Sequence, residues 1–234
     1  MHLSEAARAL QARMEGGDVE FGGVGTDTRT LKQGDLFVAL RGERYDGHRF
    51  VARAAAAGAA AAMVEVSAAD ARQTELPLIL VEDTRRALGE LAAHWRRRFE
   101  LPLVALTGSS GKTTVKEMLA AILRHAVGEV PLDAQSEPAV LATRGNLNND
   151  IGVPLMLLEL KPGHRYAVIE MGMNHAGEIR HLAQLAAPDV ALVNNAGRAH
   201  IEFLGSEEAV ARAKGEIFES LGPDGTAVIN ADDR

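Results

Sequence analysis

The chain contains no cysteine, which excludes disulfides, thiolate metal sites and cysteine nucleophiles. It also lacks any long apolar run. The alanine-rich stretch at 51–63 is interrupted by Arg53 and Gly58, well short of the roughly 20 residues needed to cross a bilayer. The opening decapeptide MHLSEAARAL has no basic segment followed by an apolar core, so neither a secretory leader nor membrane insertion is expected, and a cytoplasmic location is. An excess of positive charge is missing too. Lys and Arg number 25 against 32 Asp and Glu, a net charge of -7. That balance argues against nucleic-acid binding as the main task, while leaving room for a local basic pocket around an anionic ligand.

What is present is an ordinary globular composition, 47% hydrophobic and 24% charged over 234 residues, enough for one large or two modest domains. Short apolar runs at 36–40, 61–66, 78–82, 103–107, 166–171, 189–193 and 226–230 predict buried strands. Helical spacing separates them. Val115, Met118, Leu119 and Ile122 recur at i, i+3, i+4 and i+7 within 112–126, as do Ile179, Leu182, Ala183 and Ala186 within 175–187, which predicts amphipathic helices. Alternating strands and helices imply an α/β fold with mostly parallel sheet.

Leu101-Pro102 leads straight into a new strand and a glycine loop, so a domain boundary is expected between 99 and 100. The preceding helix, expected over 84–99, ends in Arg96-Arg97-Arg98, which suits a solvated helix end better than a phosphate contact. The cluster FGGVG at 21–25 predicts a turn or irregular strand rather than a dinucleotide site. After the strand at 226–230 only ADDR remains, so the second domain is expected to be incomplete at its C-terminus.

The strongest local signal is TGSSGKTT at 107–114, between a predicted strand and an amphipathic helix. Gly108 and Gly111 allow positive φ and close approach of backbone to a ligand. Backbone N–H groups at the helix start then face phosphate oxygens, Lys112 neutralises β/γ-phosphate charge, and the Thr113 hydroxyl suits Mg²⁺. The usual spacing would put a further glycine at 106. Leu106 occupies that place as part of the strand, so the bend starts at Gly108. A plain turn rich in small residues is the competing reading, disfavoured because Lys112, Thr113 and Thr114 follow the glycine in the required order.

Glu170 closes the strand YAVIE, where a carboxylate that assists a metal would sit. His200, in a loop after the strand at 189–193, is a possible ligand through neutral imidazole, although a lone histidine there is more often structural. In the helix expected over 206–221, Lys214 falls on the apolar stripe of Val210, Ala213, Ile217, Phe218 and Leu221. Taken alone, such a lysine is expected to reach solvent along its stem. A buried ammonium beside Mg²⁺ would be disfavoured, whereas carbamylation by CO₂ would reverse its charge and let it ligate.

Together TGSSGKTTVKEML, GNLNNDIGVP (145–154), VIEMGMNHAGEI (168–179), VNNAGRAHIEFLGS (193–206) and ARAKGEIF (211–218) resemble the Mur ligase family, of the dipeptide-adding type. TDTRTLKQGDLFVALRGERYDGHRF at 26–50 resembles that family's N-terminal UDP-binding domain. The resemblance implies residues 1–99 as a UDP-substrate-binding domain and 100–234 as an ATP-binding central domain, with a third domain beyond it absent here.

It implies ATP-dependent ligation of D-alanyl-D-alanine to UDP-N-acetylmuramoyl-tripeptide through an acyl phosphate, in peptidoglycan synthesis, by a monomer. ATP would lie on Thr107, Gly108, Ser109, Ser110, Gly111, Lys112, Thr113 and Thr114, with Asn230 toward adenine. Mg²⁺ would be held by Thr113, Glu170, His200 and a carbamylated Lys214, with Lys112, Lys214 and His200 in catalytic roles. Thr26, Asp27, Thr28 and Arg29 would face the uridine nucleotide. Asn146, Asn148, Asn149, Asn174 and His175 would shape the substrate side. Competing readings are another amino-acid-adding or folate-acting relative, a non-catalytic nucleotide-binding fragment, and a kinase with the same loop.

Overall fold

The computed structural model describes residues 1–42, 45–128, 138–199 and 201–233. It divides into two compact units, Met1–His94 and Trp95–Arg234, each with one five-stranded sheet among the described residues.

The first unit runs α1 (Leu3–Ala9), β1 (Arg13–Glu15), β2 (Val24–Gly25), β3 (Leu36–Val38), α2 (Val51–Ala56), β4 (Ala61–Glu65), β5 (Leu78–Val81) and into α3 (Thr84–Arg96). Its sheet order is β1-β5-β4-β3-β2. All pairings are parallel except β1 with β5. β3 and β5 are buried at every position, and β4 at all but its last. This is why they stand out as unbroken apolar runs. α2 stops where Gly58 takes a φ of +87°, a left-handed exit that glycine adopts without strain. β1 and β2, two or three residues long and only partly buried, carry too little apolar pattern to stand out; β2 takes up the end of FGGVG.

The second unit runs β6 (Leu103–Thr107), α4 (Lys112–Ala126), β7 (Val140–Ala142), α5 (Gly152–Leu158), β8 (Tyr166–Glu170), α6 (Glu178–Ala186), β9 (Val190–Val193), α7 (Ile201–Leu204), α8 (Glu207–Gly215) and β10 (Thr226–Ile229). Its sheet is wholly parallel, in the order β10-β9-β6-β8-β7. β6 is the first of these strands in the chain and the middle one in space. Successive connections therefore leave it on opposite sides, and the crevice where such sheets take ligands opens at its carboxyl end. α8 passes directly into a 3-10 turn, Glu216–Ser220, so the expected single helix is split.

Three expectations need correction. The inward face of α4 is not the stripe through Met118 and Ile122, which are 61% and 62% exposed. Leu119, Leu123 and Val127 pack against Leu106, Val140 and Val168, while Lys116 and Ala120 are fully buried. A lysine in the core-facing row hid the true periodicity. Arg96 is likewise no solvated helix end. It is 6% exposed, and its guanidinium donates to the carbonyls of Ala186 at 3.0 Å, Phe99 at 2.6 Å and Leu101 at 3.4 Å. It thus satisfies carbonyls where helices end. Lys214, finally, does not reach solvent, being 1% exposed.

Candidate functional site

The bend expected at the end of β6 is there. Leu106 lies inside the strand, the left-handed turn is made by Gly111 at φ +71°, and α4 begins at Lys112. Gly108, unlike Gly111, does not take a positive φ; a Cβ there would lie 3.1 Å from Asn194 Cβ, so close packing favours glycine at that position. The Lys112 ammonium arches back to the Gly108 carbonyl at 2.8 Å. The N–H groups of the first turn of α4 have no intrahelical acceptors and carry the positive end of the helix dipole. Ser110 and Thr114 are exposed. The Thr107 hydroxyl is turned the other way, donating to the Met171 carbonyl at 2.8 Å in the buried sheet.

Glu170, at the carboxyl end of the neighbouring β8, is 2% exposed. Its carboxylate accepts from Thr113 Oγ1 at 3.0 Å and from Asn148 Nδ2 at 2.8 Å. Its backbone N–H donates to Thr143 Oγ1 at 2.9 Å. The Thr143 carbonyl in turn accepts from Lys116 Nζ at 2.7 Å. A buried carboxylate is tolerated when its oxygens are bonded in this way. The arrangement brings together Thr113, Asn148 and Glu170, drawn from three separate motifs, and adds Lys116 and Thr143.

Lys214 projects from α8 into the core of the unit. Burial, reinforced by the Lys112 ammonium, pushes it down to about 8 from an ordinary 10.5. Among the described residues none accepts a hydrogen bond from its ammonium. The Lys112 ammonium is near enough to oppose its charge. Two residues on, the buried Glu216 carboxylate accepts from the N–H groups of Gly177 at 2.9 Å and Arg180 at 3.2 Å. It caps the start of α6 where an anion suits the dipole. His200 lies outside the described residues. Among the described residues no three His, Asp or Glu side chains gather as a metal-binding cluster.

The other expected positions are occupied locally. Asn149 Oδ1 accepts from the N–H groups of Ile151 at 3.2 Å and Gly152 at 2.8 Å, starting α5. Asn146 is exposed in the same turn. The Asn174 N–H donates to Glu178 at 2.7 Å and His175 Nδ1 lies 3.0 Å from the same carboxylate. These bonds help pull Glu178 below the usual carboxylate range against the opposing effect of its burial. Asn230 is exposed, its Oδ1 accepting from the Asp232 N–H at 3.1 Å, beyond the edge strand β10.

In the first unit Thr26, Asp27, Thr28 and Arg29 line a cleft of about 560 Å³ with Phe37, Tyr45, Phe50 and Arg53. The Arg29 guanidinium holds the Asp27 carboxylate down to about 2 through side-chain and backbone bonds.

Sequence reasoning used the segment that follows β9 for the family resemblance and for His200, and gave Asn194 and Asn195 no role. Asn194 and Asn195 bond across to the bend, and the Ser109 hydroxyl exchanges bonds with Gly197 at 3.1 and 2.8 Å. The available signal was the pair of asparagines at the carboxyl end of a predicted strand beside β6. Their partners, some 85 residues away, are not marked in the chain.

Residues 106–234 match the Mur ligase middle domain, and residues 20–96 match the Mur ligase family catalytic domain. Over 98% of its length the chain is 49% identical to the UDP-N-acetylmuramoyl-tripeptide–D-alanyl-D-alanine ligase of Escherichia coli (strain K12), of which it covers 48%. It is 38% identical, over 99% of its length and 48% of the relative, to the ligase of that name from Bacillus subtilis (strain 168). A crystal structure of MurF from Acinetobacter baumannii superposes with a TM-score of 0.83 at 40% identity, covering 98% of this chain and 48% of that one. MurF ligase from Thermotoga maritima, in complex with ADP, gives 0.76 at 34% identity over 90% of this chain and 46% of that one. The chain therefore spans about half the length of the curated relatives it matches. With a parallel α/β sheet, a glycine bend on its central strand and a family match over more than half its length, the chain belongs to the Mur ligase family.

Proposed function

We propose that this chain supplies the UDP-substrate and ATP sites of an ATP-dependent ligase that joins D-alanyl-D-alanine to UDP-N-acetylmuramoyl-tripeptide. The observation that carries the reading is the convergence at the end of β6. The bend at Gly108–Gly111, the Lys112 ammonium and the 3.0 Å pairing of Thr113 with Glu170 meet in the crevice of the sheet. The ADP complex of the Thermotoga maritima relative supports a nucleotide at the corresponding place. In this reading residues 100–234 hold ATP, on Thr107 to Thr114 and toward Asn230. Residues 1–99 hold the UDP moiety, in the cleft formed by Thr26, Asp27, Thr28 and Arg29. Asn146, Asn148, Asn149, Asn174 and His175 lie toward the substrate.

Mg²⁺ fits this donor set. Thr113 and Glu170 offer hard oxygen ligands of the kind it prefers, and the ion would screen the charge of the phosphates. His200 and Lys214 complete the expected set. As an ammonium, Lys214 cannot ligate. At about 8, however, roughly a tenth of it is the free amine at pH 7. That amine can attack CO₂, forming an N–C bond and releasing a proton to solvent, and the resulting carbamate is an anionic oxygen ligand.

The chemistry follows from charge. A substrate carboxylate attacks the γ-phosphate, ADP leaves, and an acyl phosphate forms. The amine of the dipeptide attacks its carbonyl and phosphate departs. Lys112 stabilises negative charge that grows on the phosphate oxygens, and preorganised contacts of this kind are each typically worth about 10²–10³ in rate. The test supplies ATP, Mg²⁺ and both substrates and follows phosphate and amide. In a full-length version, amide formation that is lost in Lys112→Ala is expected. A phosphorylated product without amide would turn the assignment toward a kinase. The competing reading is a non-catalytic fragment that binds nucleotide and UDP-ligand; nucleotide binding with no phosphate release distinguishes it.

A further inference from the structure

Asn195 makes a set of contacts that none of the roles above uses. The N–H groups of Ser109 and Ser110 both donate to its Oδ1, each at 2.9 Å. Its Nδ2 donates to the Ser110 carbonyl at 3.1 Å. Its own carbonyl takes a second share of the Ser109 N–H at 3.0 Å. Asn194 reinforces the arrangement from Nδ2 to the Ser110 carbonyl at 3.0 Å and from its N–H to the Thr107 carbonyl at 2.9 Å. The carboxamide is thus read at both ends, an acceptor for two successive N–H groups and a donor to the carbonyl between Ser110 and Gly111. Aspartate can do only the first, leucine neither.

These bonds bear on ligand binding because of which groups they use. Ser109 and Ser110 form the first half of the bend, and their N–H groups are turned aside to Asn195. The N–H groups from Gly111 onward remain directed toward an incoming anion. A bend rich in small residues is otherwise free to sample many conformations, and ordering it only when the ligand arrives would weaken binding. We infer that Asn195 is a positioning residue for the phosphate loop, holding the Ser109–Ser110 half of the bend in its binding conformation. The inference rests on the nucleotide reading of that loop.

ADP titrated calorimetrically into the chain, its Asn195→Ala and Asn195→Asp variants and Lys112→Ala separates the two. The unaltered chain is expected to bind ADP. Asn195→Ala is expected to bind about tenfold or more weakly, the equivalent of about 1.4 kcal/mol, with faster amide exchange at Ser109 and Ser110. Asn195→Asp keeps the shape and the acceptor, so it remains informative if the alanine variant does not fold. It sets a carboxylate oxygen against the Ser110 carbonyl and adds a negative charge. Its loss should therefore grow from adenosine to ADP to ATP.

A merely structural asparagine would lower the melting temperature of the variants while their folded fraction bound ADP as before. That result, or tighter binding by Asn195→Ala, overturns the inference and leaves the nucleotide reading standing. An unaltered chain that does not bind ADP overturns both.

Discussion

The two units solve the same architectural problem and treat charge in opposite ways. Each has a five-stranded, mostly parallel sheet among the described residues; the first unit's candidate ligand contacts lie on a loop, whereas the second unit's lie at strand ends, in the bend and in the first turn of α4. In the first unit the marked charges pair with each other at the surface. Asp27 and Arg29 meet with side chains 37% and 77% exposed, so water competes for both. In the second unit Lys116, Glu170, Lys214 and Glu216 are all buried, and three of the four are held by hydrogen bonds to backbone or side chains. Exposed pairs are worth little to stability, whereas buried polar groups penalise any loss of a partner. The charges of the first unit's cleft are left accessible to water. The second unit keeps most of its buried charges in a fixed polar frame.

The largest expected contrast comes from Lys112→Ala. It should abolish ATP-dependent ligation, by 10²-fold or more, while binding of the UDP-substrate by the first unit is unchanged, as calorimetry with each ligand would reveal. Substantial ligation by that variant would sink the assignment of the bend. Next is Lys116→Met, which fills the same volume but strips the bond to the Thr143 carbonyl. It should destabilise the second unit by about 1–3 kcal/mol in urea unfolding and leave the first unit's transition in place.

The third sharpens the role of burial. The folded value of Lys214 lies near 8 and its ordinary value at 10.5, so between those limits the unfolded chain binds more protons. Stability should therefore climb as pH rises through that window, and the penalty for holding the ammonium is fully present below it. Lys214→Met should erase the slope; an unchanged slope would mean that another group causes it. The smallest effect is expected from Asp27→Asn, under about 1 kcal/mol in stability. Because Asp27 stays ionised down to about 2, the effect should be flat from pH 5 to 8, and a pH-dependent loss in that range would mean that the pair is not what matters.

Much of this frame was visible in the chain, and the reasons are specific. Seven apolar runs became strands, and five of them, β3, β4, β5, β6 and β8, are buried at all or all but one position because parallel strands under helices are covered on both faces; β9 is only partly buried and the edge strand β10 is exposed throughout, against the expectation of a buried strand. The bend was legible because glycine, lysine and threonine each have a distinct part in it at fixed spacing. What stayed hidden depended on distant partners. Nothing near Lys116 marks it as buried, since its acceptor is Thr143, just past the end of β7, and its presence shifted the apparent stripe of α4 toward Met118 and Ile122. Arg96 looked like one of three solvated arginines until the carbonyls of Ala186 and Leu101 gathered around it. Asn195 lies in a stretch quoted for the resemblance, yet nothing in that stretch gives it a role; its meaning arises only when β9 is laid beside β6.

Glu216 gives Lys214 a fixed address. Bonded to the leading N–H groups of α6 just two residues along, it pins the turn that carries the lysine. A shift in the lysine's charge then has no easy outlet through sliding of α8. Such a shift would instead be felt by the Lys112 ammonium, whose repulsion already helps to lower the Lys214 pKa, so the charge on one buried side chain sets how strongly the lysine at the bend is opposed.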